Sequence, residues 1–115
     1  MKWVLFLCLL LVGRGEPTWI AKGMPIPAGL VRVQIAPCCG SMLPVLKGGE
    51  IAFAEIVTPQ TILKVGDIVD TRVHTHRITA LNERAVLTSG DNNRENDGWR
   101  LRKDLKFVIR YVERP

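Results

Sequence analysis

The chain has 115 residues, 47% of them hydrophobic and 23% charged, with a formal net charge of +5. That length supports one small domain with enough apolar residues for a core. The odd count of three cysteines argues against a disulfide framework. The basic residues that gather late, Arg100, Arg102, Lys103, Lys106, Arg110 and Arg114, alternate with acids and lack an aromatic stripe, so no nucleic-acid partner is expected, whereas attraction to an anionic membrane surface is.

Residues 1–15 read as a targeting segment. Lys2 precedes an apolar run from Trp3 to Val12 that matches a signal-peptide core and falls short of the roughly 20 residues a spanning helix needs. Gly13 and Gly15 supply small residues for cleavage before Glu16, and an uncleaved short anchor fits the same pattern. Leu7 is too large to make Cys8 a lipid attachment site. In residues 16–29 the prolines at 17, 25 and 27 predict a linker without regular structure, with Trp19, Ile20, Met24 and Ile26 at the membrane surface or packed under the domain.

Residues 30–115 form the domain proper, and its pattern is mainly β. Val31, Val33 and Ile35 alternate with Arg32 and Gln34, and Leu105, Phe107, Ile109 and Tyr111 repeat that period, each set predicting one buried strand face. Residues 50–57, 67–79 and 85–89 are also predicted strands, the first two buried in part on both faces. No long helix is predicted after the amino-terminal segment.

Three separated segments carry the chemistry: Cys39-Gly40-Ser41-Met42-Leu43-Pro44, Val73-His74-Thr75-His76-Arg77-Ile78 and Gly90-Asp91-Asn92-Asn93. A serine hydroxyl needs a base to take its proton as it attacks a carbonyl, and histidine, with an unperturbed pKa of about 6.5, suits that task. A carboxylate behind the imidazole would hold its tautomer and stabilise the imidazolium. Ser41, His76 and either Asp91 or Asp97 supply the set. Each has a plainer reading as well: Ser-Met before proline occurs in ordinary turns, and Asp-Asn-Asn is a turn former.

With these segments in order, residues 31–112 resemble the type I signal peptidases, in particular the branch of archaea and the endoplasmic reticulum. Ser41-Met42-Leu43-Pro44, followed by Leu46 and Gly49-Glu50, is similar to the family's Ser-Met-x-Pro box and its trailing turn. Val65-Gly66-Asp67-Ile68-Val69 resembles a second box, His76-Arg77 stands where bacterial members carry Lys-Arg, and Gly90 to Asp97 resembles a fourth. Ser41 and His76 are 35 residues apart, and His76 and Asp97 are 21 apart.

The resemblance implies coiled β-sheets with a small barrel and a serine endopeptidase that removes leader segments from exported preproteins. It places the domain, membrane-anchored or secreted, on the outer side of the cytoplasmic membrane. Ser41 would be the nucleophile, His76 the base and Asp97 the third member, with Asp91 supporting. Asn96 stands where the family often has the first aspartate of a pair, which leaves Asp91 and Asp97 open. Met42 and Pro44 are expected beside the substrate, and no cofactor is implied.

His74, two residues before His76 on a predicted strand, would share its face and stand near the substrate. A zinc site built from both histidines with Cys38 and Cys39 is disfavoured, because adjacent cysteines do not fit zinc spacing. Adjacent Cys38 and Cys39 also make a strained bridge, so free thiols are expected. Cys39 stands where bacterial members often have a serine that assists the oxyanion. A thiol is a weaker donor there and an alternative nucleophile. Two further alternatives are a self-cleaving regulator of the same fold, with Lys64 as base, and an exported binding module that has lost catalysis.

Overall fold

The computed structural model describes residues 17–36, 40–71 and 73–114. The amino-terminal apolar segment and all three cysteines lie outside them, and with them the expectations for targeting, for free thiols and for Cys39 at the oxyanion. The described chain forms eight strands, β1 (Thr18–Ala21), β2 (Val31–Gln34), β3 (Ile51–Ile56), β4 (Ile68–Asp70), β5 (Thr75–Leu81), β6 (Ala85–Ser89), β7 (Trp99–Leu101) and β8 (Phe107–Arg114). One 3-10 turn, η1 (Arg102–Asp104), precedes β8. The class is mainly β, as expected.

All eight strands belong to one sheet in the order β2-β3-β8-β4-β5-β6-β7. β8 is its hub. One edge pairs antiparallel with β3, while the other is shared by β4 at Val108–Phe107 and by β1, in parallel, at Tyr111–Arg114. The sheet is not closed into a barrel, contrary to the expectation from the resemblance. Closure would require the two end strands to pair with each other, whereas among the described residues β2 bonds only to β3 and β7 only to β6.

Two register shifts explain where the period-2 reading slips. In β8, Arg110 is the extra residue between Tyr111, opposite Phe53, and Ile109, opposite Ala54. The bulge changes the strand's phase, so the buried set is Val108, Ile109 and Val112 rather than the alternate row ending at Tyr111. In β5, Thr79 is extra between Ile78 and Ala80. The single strand expected over 67–79 is instead the hairpin β4–β5, whose turn is closed by Thr71 N–H to His74 O at 3.0 Å. The amino-terminal linker is also partly regular: its prolines flank Thr18–Ala21 without interrupting it, and the edge of β8 accepts that segment as β1.

Two hydrophobic clusters lie on opposite faces of the central strands. Ile68 and Ile109 belong to one and their chain neighbours Val69 and Val108 to the other, which is the alternation a strand buried on both faces requires. The first cluster takes in Met42 and Leu46, 3% and 1% exposed, against the small Ala52 and Ala54 of β3. Burying two side chains of that size is worth about 1.5–3 kcal/mol each, which anchors the turn carrying Ser41 to the sheet. The second cluster holds Leu63, Ile78, Val86 and Leu105. No helix among the described residues is long and apolar enough to cross a membrane.

Candidate active site

Ser41 opens a tight turn in which Leu43 N–H donates to Gly40 O and Leu46 N–H to Met42 O. From one side, Arg114 at the end of β8 donates to Val45 O at 2.8 Å and pairs with Glu50, whose carboxylate also accepts from Lys47 N–H. From the other side the β6–β7 connection docks on the turn: Asn92 N–H donates to Ser41 O at 2.7 Å, Asn92 Nδ2 to Gly40 O, and Asp91 N–H approaches Met42 Sδ. Gly90 makes this docking possible, since a Cβ there would stand 2.8 Å from Ser41 O.

His76 lies on β5, opposite Val69, and is 3% exposed. Its Nε2 is 3.1 Å from Ser41 Oγ and its Nδ1 is 2.5 Å from Asp97 Oδ2. Asp97 is held in turn by Thr88 Oγ1, which donates to the same Oδ2 at 2.8 Å, and by its own N–H to Thr88 O. Burial pushes the Asp97 carboxyl upward, but hydrogen bonds from His76 and Thr88 and the charges of His76 and His74 outweigh it, so the group titrates below its usual 3.8. An ionised carboxylate only accepts, so Nδ1 of His76 carries a proton; in the neutral imidazole Nε2 then has the lone pair, and the Ser41 hydroxyl can donate to it. That hydrogen-bond direction is the one a nucleophile and its general base require.

The structure thus brings Ser41, His76 and Asp97 together and assigns Asp91 elsewhere. Asp91 forms two hydrogen bonds of 2.8 Å with Arg77, and Arg77 also donates to Gly66 O at 2.8 Å. Gly66 adopts φ +100°, and Asp67 caps that turn by accepting from Lys64 N–H. The second sequence box therefore builds a seat for Arg77. Through Asp91, Arg77 fixes the loop that positions Ser41.

His74 is exposed and lies in the turn before β5 rather than on the strand, yet its ring stacks on that of His76 with centroids 4.8 Å apart. Met42 lines a small cavity of about 60 Å³ beside Ser41, together with Ile35, Ala36 and His74, although most of its side chain is core. Pro44 is not at that cavity. The turn directs it to the opposite side, where it lines a separate hollow with Pro17, Trp19 and Arg114. No group of three or more histidine and acidic residues able to hold a metal occurs among the described residues.

Thr88 lies outside the sequence motifs, and Gly90 lies within the fourth with no role assigned to it there. The signal for Thr88 is its spacing from Val86: it occupies the buried phase of β6, where a hydroxyl needs a partner. No protein-family model matches the chain, and no curated protein and no solved structure shows significant similarity to it.

Proposed function

We propose that this protein is a serine endopeptidase of the signal-peptidase type, acting on exported preproteins at the outer face of a membrane. The observation that carries the proposal is the unbroken relay from Asp97 through His76 to Ser41. As Ser41 Oγ attacks the scissile carbonyl, His76 Nε2 takes its proton and the Asp97 carboxylate stabilises the imidazolium. His76 then returns the proton to the leaving amine, and a water molecule, deprotonated by the same imidazole, hydrolyses the acyl-enzyme. The amide of Ser41 receives the developing oxyanion.

Substrate binding follows from the sheet edge. β2 pairs with β3 alone, and beside its Val33–Ala36 side run the small cavity at Ser41 and an open cleft of about 370 Å³, both bounded by Val73, His74 and Thr75. An extended peptide laid along this edge would bond through its backbone, and the 60 Å³ cavity suits a small side chain next to the scissile bond.

The test is cleavage of a preprotein with a small-x-small site by the purified full chain in detergent, beside Ser41→Ala, His76→Ala and Cys39→Ala. Cleavage that is lost by at least about a thousandfold in the first two and retained in the third supports the reading. Loss in Cys39→Ala with retention in Ser41→Ala would make the cysteine the nucleophile. A folded parent that binds the preprotein and leaves it intact would make this a binding module.

A further inference from the structure

A cavity of about 510 Å³ opens where the end of β3, the β5–β6 turn and η1 meet, and it shares no lining residue with the cavities beside Ser41. It sits at the start of β8, whereas β1 joins the other end of that strand. Val57, Leu101 and Leu105 form apolar walls, and Arg84, Arg102 and Lys103 bring three cations to the same well. The volume falls within the range of pockets that enclose small molecules, about 300–1,000 Å³.

The walls are tied together by backbone. Arg102 N–H donates to Arg84 O at 2.8 Å, Leu105 N–H to Arg102 O at 3.1 Å and Val57 N–H to Lys106 O at 3.0 Å, so three separate segments are locked around the opening. The Arg102 guanidinium donates to Thr61 O, which fixes its place in the wall. Arg84 and Lys103 are exposed and form no salt bridge among the described residues. Glu83 and Asp104, their neighbours in the chain, are not part of the lining. No aromatic side chain among the described residues lines the well, so they offer no platform for a stacked base or sugar ring.

An apolar well edged by Arg84 and Lys103, which have no anionic partner among the described residues, matches a ligand with an apolar body and an anionic head. We propose that this cavity binds a medium-chain carboxylate, its alkyl chain against Val57, Leu101 and Leu105 and its carboxylate on Arg84 and Lys103. The pairing removes alkyl surface from water and gives the two cations an anionic partner that the described residues do not supply.

The experiment titrates the isotope-labelled full chain with octanoate and follows the backbone amide resonances of residues 101–105 by NMR. Saturable, one-to-one shifts with a dissociation constant of about 10 μM–1 mM are expected, weakened at least about tenfold for octanol and for octylammonium. Arg84→Ala/Lys103→Ala should weaken octanoate by a similar factor, and Leu101→Glu, at a position 47% exposed and so tolerant of a charge, should abolish binding. Octanol binding as tightly as octanoate, shifts that never saturate, or unchanged binding in both variants would overturn the proposal. The readout needs no peptidase activity, so it stands or falls independently of the function proposed for Ser41.

Discussion

The two ends of the β6–β7 connection carry the same side chain and do different work. Asp91 meets Arg77, and Asp97 meets His76. Arg77 and His76 are consecutive on β5, so they project to opposite faces of the strand, and a segment reaching both must straddle it. One aspartate therefore clamps the loop from one face while the other orders an imidazole from the other face. Identity of residue type says nothing about role here; the strand face each acid reaches decides it.

Substitutions at the two ends should separate these roles. The largest effect is expected for Asp97→Asn, which leaves the shape intact but offers Nδ1 of His76 a donor in place of an acceptor, favouring the wrong tautomer. kcat should fall by about 10³–10⁴-fold, and the melting temperature near neutral pH should drop modestly, because the stability that the ionised carboxylate contributes is lost. Because Asp97 titrates below 3.8 in the folded protein, its contribution to stability is complete above that pH and disappears as pH falls through the lower folded value. The variant's stability should thus vary less with acid than the parent's, as denaturant melts from pH 2 to 6 would register. Greater loss of activity from Asp91→Asn than from Asp97→Asn would break the comparison.

Next in size is Gly90→Ala. Its methyl must displace Ser41 O or the Asn93 side chain, and misplacing a nucleophile by about 1 Å costs on the order of 10²-fold in kcat/KM. Asp91→Asn comes third. It removes a two-point ion pair whose side chains are 15% and 18% exposed, so about 1–3 kcal/mol of stability should be lost in urea melts, with only a modest activity loss as the loop loosens. Thr88→Val is the mildest: it deletes one hydrogen bond to Asp97 and should lower kcat several-fold while raising the pH at which acid destabilises the protein.

Much of the sheet is legible in the sequence because β2, β3 and β6 are short runs of apolar and β-branched residues with turn signals at their ends. β8 is legible as a strand but not in its facing, since nothing local marks Arg110 as a bulge. The break between β4 and β5 hides for a related reason: its turn has no glycine, proline or asparagine and relies on the Thr71 hydroxyl, which accepts from Val73 and His74 N–H. β7, three residues long, is too short for a period to show, and β1 is hidden because the prolines around Thr18–Ala21 read as a linker.

At the site, the type and order of Ser41, His76 and Asp97 are readable. Their contacts span 35 and 21 residues, however, and the choice between two aspartates depends on how a loop crosses a strand. Pro44 lies away from the cavity beside Ser41 because the turn after Ser41 directs successive side chains to different sides.

The position of β8 in the chain has a consequence for biosynthesis. This strand follows the other described strands and pairs with β3, β4 and β1, and its Arg114 braces the turn that carries Ser41. During synthesis the earlier strands must wait, with exposed edges, until β8 leaves the ribosome, and long-range pairing of this kind folds slowly. Ser41 is therefore braced late in folding, so a growing chain carries Ser41, His76 and Asp97 well before the sheet holds them together.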